Sequence, residues 1–252
     1  MLVEVDRLEK VFYPDALLPN RGVPALANLS VTFQPGEIVA LLGANGAGKT
    51  TLLRCLAGLA IPSAGEVRMD GQRLQRDQIW LRRRLFWLDA DPIFPRGVRL
   101  IRYISLIVGC YDAHRDGLDS DVTNWLEEFG LLPKLDTPVT NLSRGEKYKT
   151  ALIALLAVDP DLWLVDEPFA SGMDPEGLDG FRRYARAAAD RGKTVIYSTQ
   201  ILEIAERLAD RIGILQAGKL LVCDSMDSLR RADQAVPEDL SQIYRRLSDL
   251  RS

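Results

Sequence analysis

Residues Gly43-Ala44-Asn45-Gly46-Ala47-Gly48-Lys49-Thr50 have the spacing of a phosphate-binding loop, G-x-x-x-x-G-K-[ST]. The flanks give the pattern physical meaning. Glu37 to Leu42 is an apolar, β-prone run of strand length, and Thr51 to Leu59 carries apolar residues at helical spacing with a glycine near its end. A strand, a glycine turn and a helix in that order let successive backbone N–H groups point inward at the positive end of the helix. Gly43, Gly46 and Gly48 allow the bend, while Asn45, Ala47 and Thr51 complete the nucleotide-binding stretch. Lys49 can reach the β- and γ-phosphates, and the Thr50 hydroxyl can ligate Mg²⁺. A glycine turn with no ligand is the alternative, and the flanks argue against it.

A second group of chemically capable residues lies about 115 positions on. Leu162-Trp163-Leu164-Val165 runs directly into Asp166-Glu167-Pro168. A buried strand that ends in two carboxylates delivers both beside a bound nucleotide. Asp166 is placed to hold Mg²⁺ and Glu167 to polarise a water for attack on the γ-phosphate. Alone, such a strand end would read as a solvated acidic turn.

Strands alternating with helices predict a largely parallel sheet covered on both faces. Strands are expected at 2–6, 29–33, 66–71, 162–165 and 194–198, and helices at 100–111, 119–130, 143–157 and 176–190. Pro14, Pro19, Asn20, Gly22 and Pro24 mark a turn region. Ser143 precedes Glu146 by three, a capping-box pattern. Residues 90–158 hold no convincing strand and read as an all-helical insertion.

The 252 residues, 47% apolar and 27% charged, suit a large globular domain with a subdomain. A formal net charge of −3 argues against a nucleic-acid binder. The scattered Cys55, Cys110 and Cys223 each read as a small buried or half-buried apolar residue, which fits a reducing compartment. No apolar run reaches membrane-spanning length, and Met1 to Asp6 reads as an acidic alternating strand, not a signal peptide. A soluble protein that reaches a membrane only through a partner is expected.

Three further segments complete a pattern: Leu142-Ser143-Arg144-Gly145-Glu146, Ser171-Gly172-Met173-Asp174 and Ile196-Tyr197-Ser198-Thr199-Gln200. With the two motifs above, in this order and spacing, residues 2–225 resemble the ATP-binding cassette (ABC) family of ATPases. The resemblance implies an α/β P-loop NTPase core with a mostly parallel sheet, an N-terminal antiparallel β subdomain and an inserted α-helical subdomain. The ATPase domain would span 1–225, with its core at about 1–89 and 159–225, its insertion at about 90–158 and a C-terminal helical extension at 226–252. It also implies Mg²⁺-dependent ATP hydrolysis by a head-to-tail dimer, each ATP lying between one chain's phosphate loop and the other's signature segment. Here that segment is Ser143, Arg144, Gly145 and Glu146, where the family usually has Ser-Gly-Gly-Gln. A serine at the N-cap and a glycine N–H beside it can face a phosphate, helped by the helix dipole. Asp174 falls where the family's aspartate crosses the dimer interface, and Phe12 or Tyr13 where an aromatic stacks on adenine.

This chain departs from the family pattern at three places. Ala90 stands where the family has a glutamine touching Mg²⁺ and water, a role that Asp89 or Asp91 could take through water. Gln200 replaces the switch histidine and can hydrogen-bond a phosphate without supplying charge. Arg144 replaces a glycine, and either adds charge near the phosphates or points to solvent. Lone His114 reads as a surface residue. With Glu167 intact, slow ATP hydrolysis is expected.

The resemblance implies an ATPase subunit of a membrane transporter, an exporter by its short C-terminal helix, sitting on the inner face of the cell membrane through an integral membrane permease. A homodimer is the simpler assembly, and a heterodimer stays open. A soluble or regulatory cassette with a non-transport role, such as assembly or gating, is the alternative. Surplus apolar residues at 86–111 predict an exposed groove near Phe94, Pro95 and Tyr103 for a helix of the permease.

Overall fold

The computed structural model describes residues 1–13, 22–75, 77–231 and 239–249. Pro14, Pro19, Asn20, Pro237 and Glu238 lie outside them. The chain opens with β1 (Val3–Phe12) and β2 (Val23–Phe33), then β3 (Ile38–Leu42), which leads through the glycine loop into α1 (Lys49–Leu56). Next come β4 (Ala64–Met69), β5 (Gln72–Arg73), α2 (Ile79–Arg82) and β6 (Leu85–Leu88). The helices α3 (Leu100–Tyr111), α4 (Leu118–Glu128) and α5 (Arg144–Val158) follow without an intervening strand. The alternation then resumes with β7 (Leu162–Val165), α6 (Pro175–Asp190), β8 (Thr194–Thr199), α7 (Leu202–Leu208), β9 (Arg211–Gln216) and β10 (Lys219–Asp224). Two helices, α8 (Met226–Arg231) and α9 (Leu240–Asp249), close the described chain.

The strands form two sheets. The first is antiparallel, in the order β2-β1-β4-β5. The β4–β5 turn consists of Asp70 and Gly71, both at positive φ (48° and 77°), the backbone of a tight two-residue hairpin. The second sheet runs β10-β9-β3-β8-β7-β6, parallel except for β10 at its edge. β3, β7 and β8 are buried at every position, the apolar pattern of strands covered on both faces. Pairing of Leu42 with Thr199, Val165 with Tyr197 and Leu88 with Val165 puts the carboxyl ends of four strands at one edge. The glycine loop, Asp166, Gln200 and Asp89 leave the sheet at that edge, where parallel sheets bind their ligands.

β3 alternates between two cores. Val39 and Leu41 pack with Leu52, Leu56 and Phe33 between the sheets, and Ile38, Ala40 and Leu42 join the core beneath the helices. That second core is continuous with the helical block, where Leu100, Ile104 and Val108 recur every fourth residue along α3. Helix α5 is buried on nearly all sides from Tyr148 to Ala157, so it is a core element shared by sheet and helical block. Among the described residues no helix is long and apolar enough to cross a membrane.

The sequence reading placed α3, α5, α6 and the central strands closely, but left β6, β9, β10 and α7 unassigned. The helix after the phosphate loop stops at Leu56, because Gly58 takes a positive φ of 66°. Because α5 is buried, Leu152→Ala should lower unfolding stability by about 2–5 kcal/mol. Urea denaturation should show an earlier midpoint with an unchanged slope, and an unshifted midpoint would contradict this packing.

Candidate nucleotide site

The three glycines of the loop have different reasons to be there. A Cβ on Gly43 would lie 2.4 Å from the Leu215 carbonyl oxygen, and one on Gly48 2.7 Å from that of Ala25. Gly46, at φ 80°, faces open space with nothing within 4 Å. The loop is clamped from outside: Gly218, in the β9–β10 turn, donates its N–H to the Ala47 carbonyl (3.0 Å) and accepts from Ala27 (2.9 Å). Lys49 is only 5% exposed. Its ammonium donates to the carbonyls of Gly43 (2.8 Å) and Ala44 (3.3 Å) and lies 3.2 Å from Glu167 Oε1. Asn45 is exposed, Ala47 buried, and Thr51 half-buried in the first turn of α1.

Asp166 is buried, with hydroxyls around its carboxylate. Thr50 Oγ1 donates to it (2.9 Å to Oδ2) and Ser198 Oγ donates to Oδ1 (2.6 Å). Ser198 in turn accepts the Glu167 N–H at 2.9 Å. The Asp166 N–H donates to the Leu88 carbonyl (2.9 Å), and its own carbonyl accepts the Tyr148 hydroxyl (3.2 Å). Glu167 adopts φ 43°, a region that non-glycine residues rarely enter and that a following proline disfavours. Among the described residues no group of three or more His, Cys, Asp or Glu is arranged to hold a metal ion. A threonine hydroxyl and one carboxylate, 2.9 Å apart, fit Mg²⁺ instead, an ion that takes few protein oxygens and fills its shell with phosphate and water.

The signature segment sits in its own polar cleft of about 290 Å³, with Ser143, Gly145, Lys149, Gly172 and Asp174 among its walls. Ser143 caps α5: its Oγ accepts from Glu146 N (3.3 Å), while the Glu146 carboxylate accepts from Ser143 N (2.9 Å). The Lys134 ammonium pairs with Glu146 and, with that cap, holds its carboxyl below the usual range. A Cβ on Gly145 would fall 2.2 Å from the Gly172 carbonyl oxygen, so only glycine permits the approach of the two segments. Arg144 is exposed beside Gly172. Asp174 Oδ1 caps α6 through Gly177 N (2.8 Å), and its Oδ2 takes the buried Lys149 ammonium at 2.6 Å. Lys149 also donates to the Phe129 carbonyl (3.1 Å). Among the described residues no hydrogen bond joins residues 43–51 to residues 143–146.

The remaining expected residues fall on or near the same edge. Gln200 is exposed directly after β8. Asp89 braces its own loop, accepting from Arg54 (3.4 Å), Trp87 Nε1 (3.3 Å) and Asp91 N (3.2 Å). That leaves exposed Asp91 as the freer carboxylate beside Ala90. Phe12 and Tyr13 are exposed, with the Lys10 ammonium 4.9 Å from the Phe12 ring centre. Phe12 pairs with Val23, two residues from the Ala25 carbonyl that abuts Gly48. His114 is exposed; Cys55 is buried and Cys223 half-buried, but Cys110, expected to be covered, is exposed near the end of α3, away from the Leu100, Ile104 and Val108 face. The expected groove is corrected: Phe94 is 9% exposed, packed edge-on against Tyr103 at 4.7 Å, because it closes the core under α3. Tyr148, Lys149 and Ser198 escaped the sequence reading, although all three lie within or next to segments it quoted.

The profile of the ABC transporter family matches residues 26–170, more than half of the chain. The nickel import ATP-binding protein NikO of Rhodobacter capsulatus is 35% identical over 215 residues, 79% of this chain and 83% of that protein. The cytochrome c biogenesis ATP-binding export protein CcmA of Escherichia coli is 36% identical over 193 residues, 76% of this chain and 90% of that protein. A solved ATP-binding subunit of an ABC transporter superposes with a TM-score of 0.89 at 27% identity, covering 98% of this chain and all of that one. A dimeric cassette, MJ0796 bound to ADP and phosphate, shares the fold with a TM-score of 0.77 at 21% identity, over 88% of this chain and 98% of its own. The chain belongs to the ABC transporter family, as an ATP-binding, ATP-hydrolysing cassette.

Proposed function

We propose that this cassette works as a head-to-tail dimer, a homodimer in its simplest form, that drives a separate permease in the export direction. The observation that carries the reading is the split between two incomplete half-sites. Lys49, Thr50, Asp166 and Glu167 are linked by an ion pair and a hydrogen bond along one edge, while Ser143, Gly145 and Glu146 line a second cleft with Lys149, Gly172 and Asp174. A nucleotide held between two chains would complete both. In that sandwich Gly43 to Thr51 cradle the phosphates and Thr50 and Asp166 hold Mg²⁺, which offsets phosphate charge. Glu167 is the general base and Gln200 hydrogen-bonds the γ-phosphate. Ser143, Arg144 and Gly145 face the opposing chain's nucleotide, and Glu146 fixes their turn. Asp174, held in its own chain by Lys149, would bring the 171–174 turn to the interface. Phe12 or Tyr13 stacks on adenine.

A permease surface is supported by an apolar groove of about 320 Å³ between α1, α2 and α3, lined by Ala57, Leu59, Ile79, Trp87 and Tyr111 among others. Ile79 stands exposed in its wall, with exposed Trp80 next to it in α2. The likeness to CcmA and the helix α9 favour export; the likeness to NikO favours import as the second reading.

Three outcomes test this function. Lys49→Ala should abolish ATP binding in calorimetry, and equal affinity would contradict the role of the loop. Glu167→Gln should still bind ATP, lose about 10²–10⁴-fold in turnover and accumulate an ATP-bound dimer in sedimentation. Unchanged hydrolysis would remove Glu167 as the base, and a persistent monomer would remove the sandwich. Ile79→Asp should stop co-purification with a polytopic membrane protein at unchanged ATP affinity. Co-purification equal to that of the unmodified chain would refute the groove, and transport measured in oriented vesicles fixes the direction.

A further inference from the structure

The backbone of Asp166 and Glu167 is anchored from three elements. Strand β6 holds it through the Leu88 carbonyl, β8 through Ser198 Oγ, and α5 through the Tyr148 hydroxyl. Tyr148 is fully buried against the apolar cluster beneath the helices, and its hydroxyl is the hydrogen bond that ties α5 to the Asp166 carbonyl. Tyr148 lies five residues beyond Ser143 on a helix buried along its length, so the ring and the capped first turn move together. Glu167, at φ 43° ahead of Pro168, occupies a backbone state that its neighbours must impose. Loss of an anchor next to such a residue turns its carboxylate away.

We infer that Tyr148 is a positioning residue that makes the orientation of Glu167 depend on the position of α5, so that contact of residues 143–146 with an opposing chain's nucleotide is relayed to this chain's own base. The relay between chains rests on the proposed dimer; the link within the chain rests on the hydrogen bond alone. The displacement is small and mechanical. A docked phosphate pulls on the first turn of α5, the turn carries Tyr148, and the Tyr148 hydroxyl carries the Asp166 carbonyl. No group changes protonation and no covalent bond forms.

The test is Tyr148→Phe, which deletes one oxygen. Steady-state hydrolysis of Mg²⁺–ATP should show kcat lower by about three- to tenfold, the scale of one neutral hydrogen bond, with KM and ATP affinity unchanged. In a Glu167→Gln background the substitution should leave the residual single-turnover rate where it was, since the base it positions is gone. If Tyr148→Phe does not fold, Tyr148→Leu, which also lacks the hydroxyl, decides the in-chain link by the same kcat comparison. An unchanged kcat, or an equal fractional loss in the Glu167→Gln background, would overturn the positioning role. For the relay, Ser143→Ala should lower kcat less when Tyr148 is already Phe, and an equal lowering in both backgrounds would overturn it. Absence of an ATP-dependent dimer of Glu167→Gln chains would refute the dimer and with it the relay, while the kcat comparison still decides the in-chain link.

Discussion

Two carboxylates at the end of a buried strand are an electrostatic burden that the rest of the site exists to balance. An ionised group out of water is costly unless it is paired or hydrogen-bonded. Asp166 and Glu167 meet this constraint differently. Asp166 accepts from the hydroxyls of Thr50 and Ser198, neutral donors that replace part of its lost hydration without adding a charge. Glu167 takes Lys49, at 3.2 Å. In the proposed site, the lysine that would hold phosphate therefore rests on the carboxylate that would polarise water. A triphosphate that took the lysine would release the base at the same moment, joining binding to activation.

The geometry that permits this comes from close approaches, not from large interfaces. Gly43 and Gly48 let the loop press on Leu215 and Ala25, and the Gly218 turn holds it from above. Gly145 lets the Gly172 carbonyl sit on the first turn of α5, and Gly177 makes room for the Lys149 stem, where a Cβ would lie 2.7 Å from its Cε. The 143–146 and 171–174 turns are thereby fastened as one tile by the ion pair of buried Lys149 with exposed Asp174 and by two helix caps. Asp174 spends both carboxylate oxygens inside its own chain, with Lys149 and the cap drawing its proton affinity down. A rigid tile on one side and a preloaded carboxylate on the other are what a shared nucleotide would bring together.

Much of this was legible because it is local. The phosphate loop, the carboxylate pair and the capping box each occupy fewer than ten consecutive residues, and their flanks carried the strand–turn–helix context. Helix α3 was legible because Leu100, Ile104 and Val108 repeat at helical spacing. Strands β9 and β10 were not, because Gly213 interrupts an otherwise β-prone run and only pairing with β3 makes it a strand. Phe94 was misplaced because residue type alone does not say which aromatic closes a core and which stays outside: Ile93, its neighbour, is the exposed one. Ser198, Lys149 and Tyr148 act across 18 to 32 positions of sequence, and no spacing rule links a tyrosine hydroxyl to a carbonyl on another element.

The central claim is that nucleotide replaces Glu167 as the partner of Lys49 while the backbone of Asp166 and Glu167 stays anchored. It is tested most directly by a crystal structure of the chain with Mg²⁺ and a non-hydrolysable ATP analogue. The account predicts that the Lys49 ammonium leaves the Glu167 carboxylate, 3.2 Å away in the free chain, for the β- and γ-phosphates, with the bonds from Leu88, Tyr148 and Ser198 retained. An analogue bound in the loop with Lys49 still paired to Glu167 would contradict it.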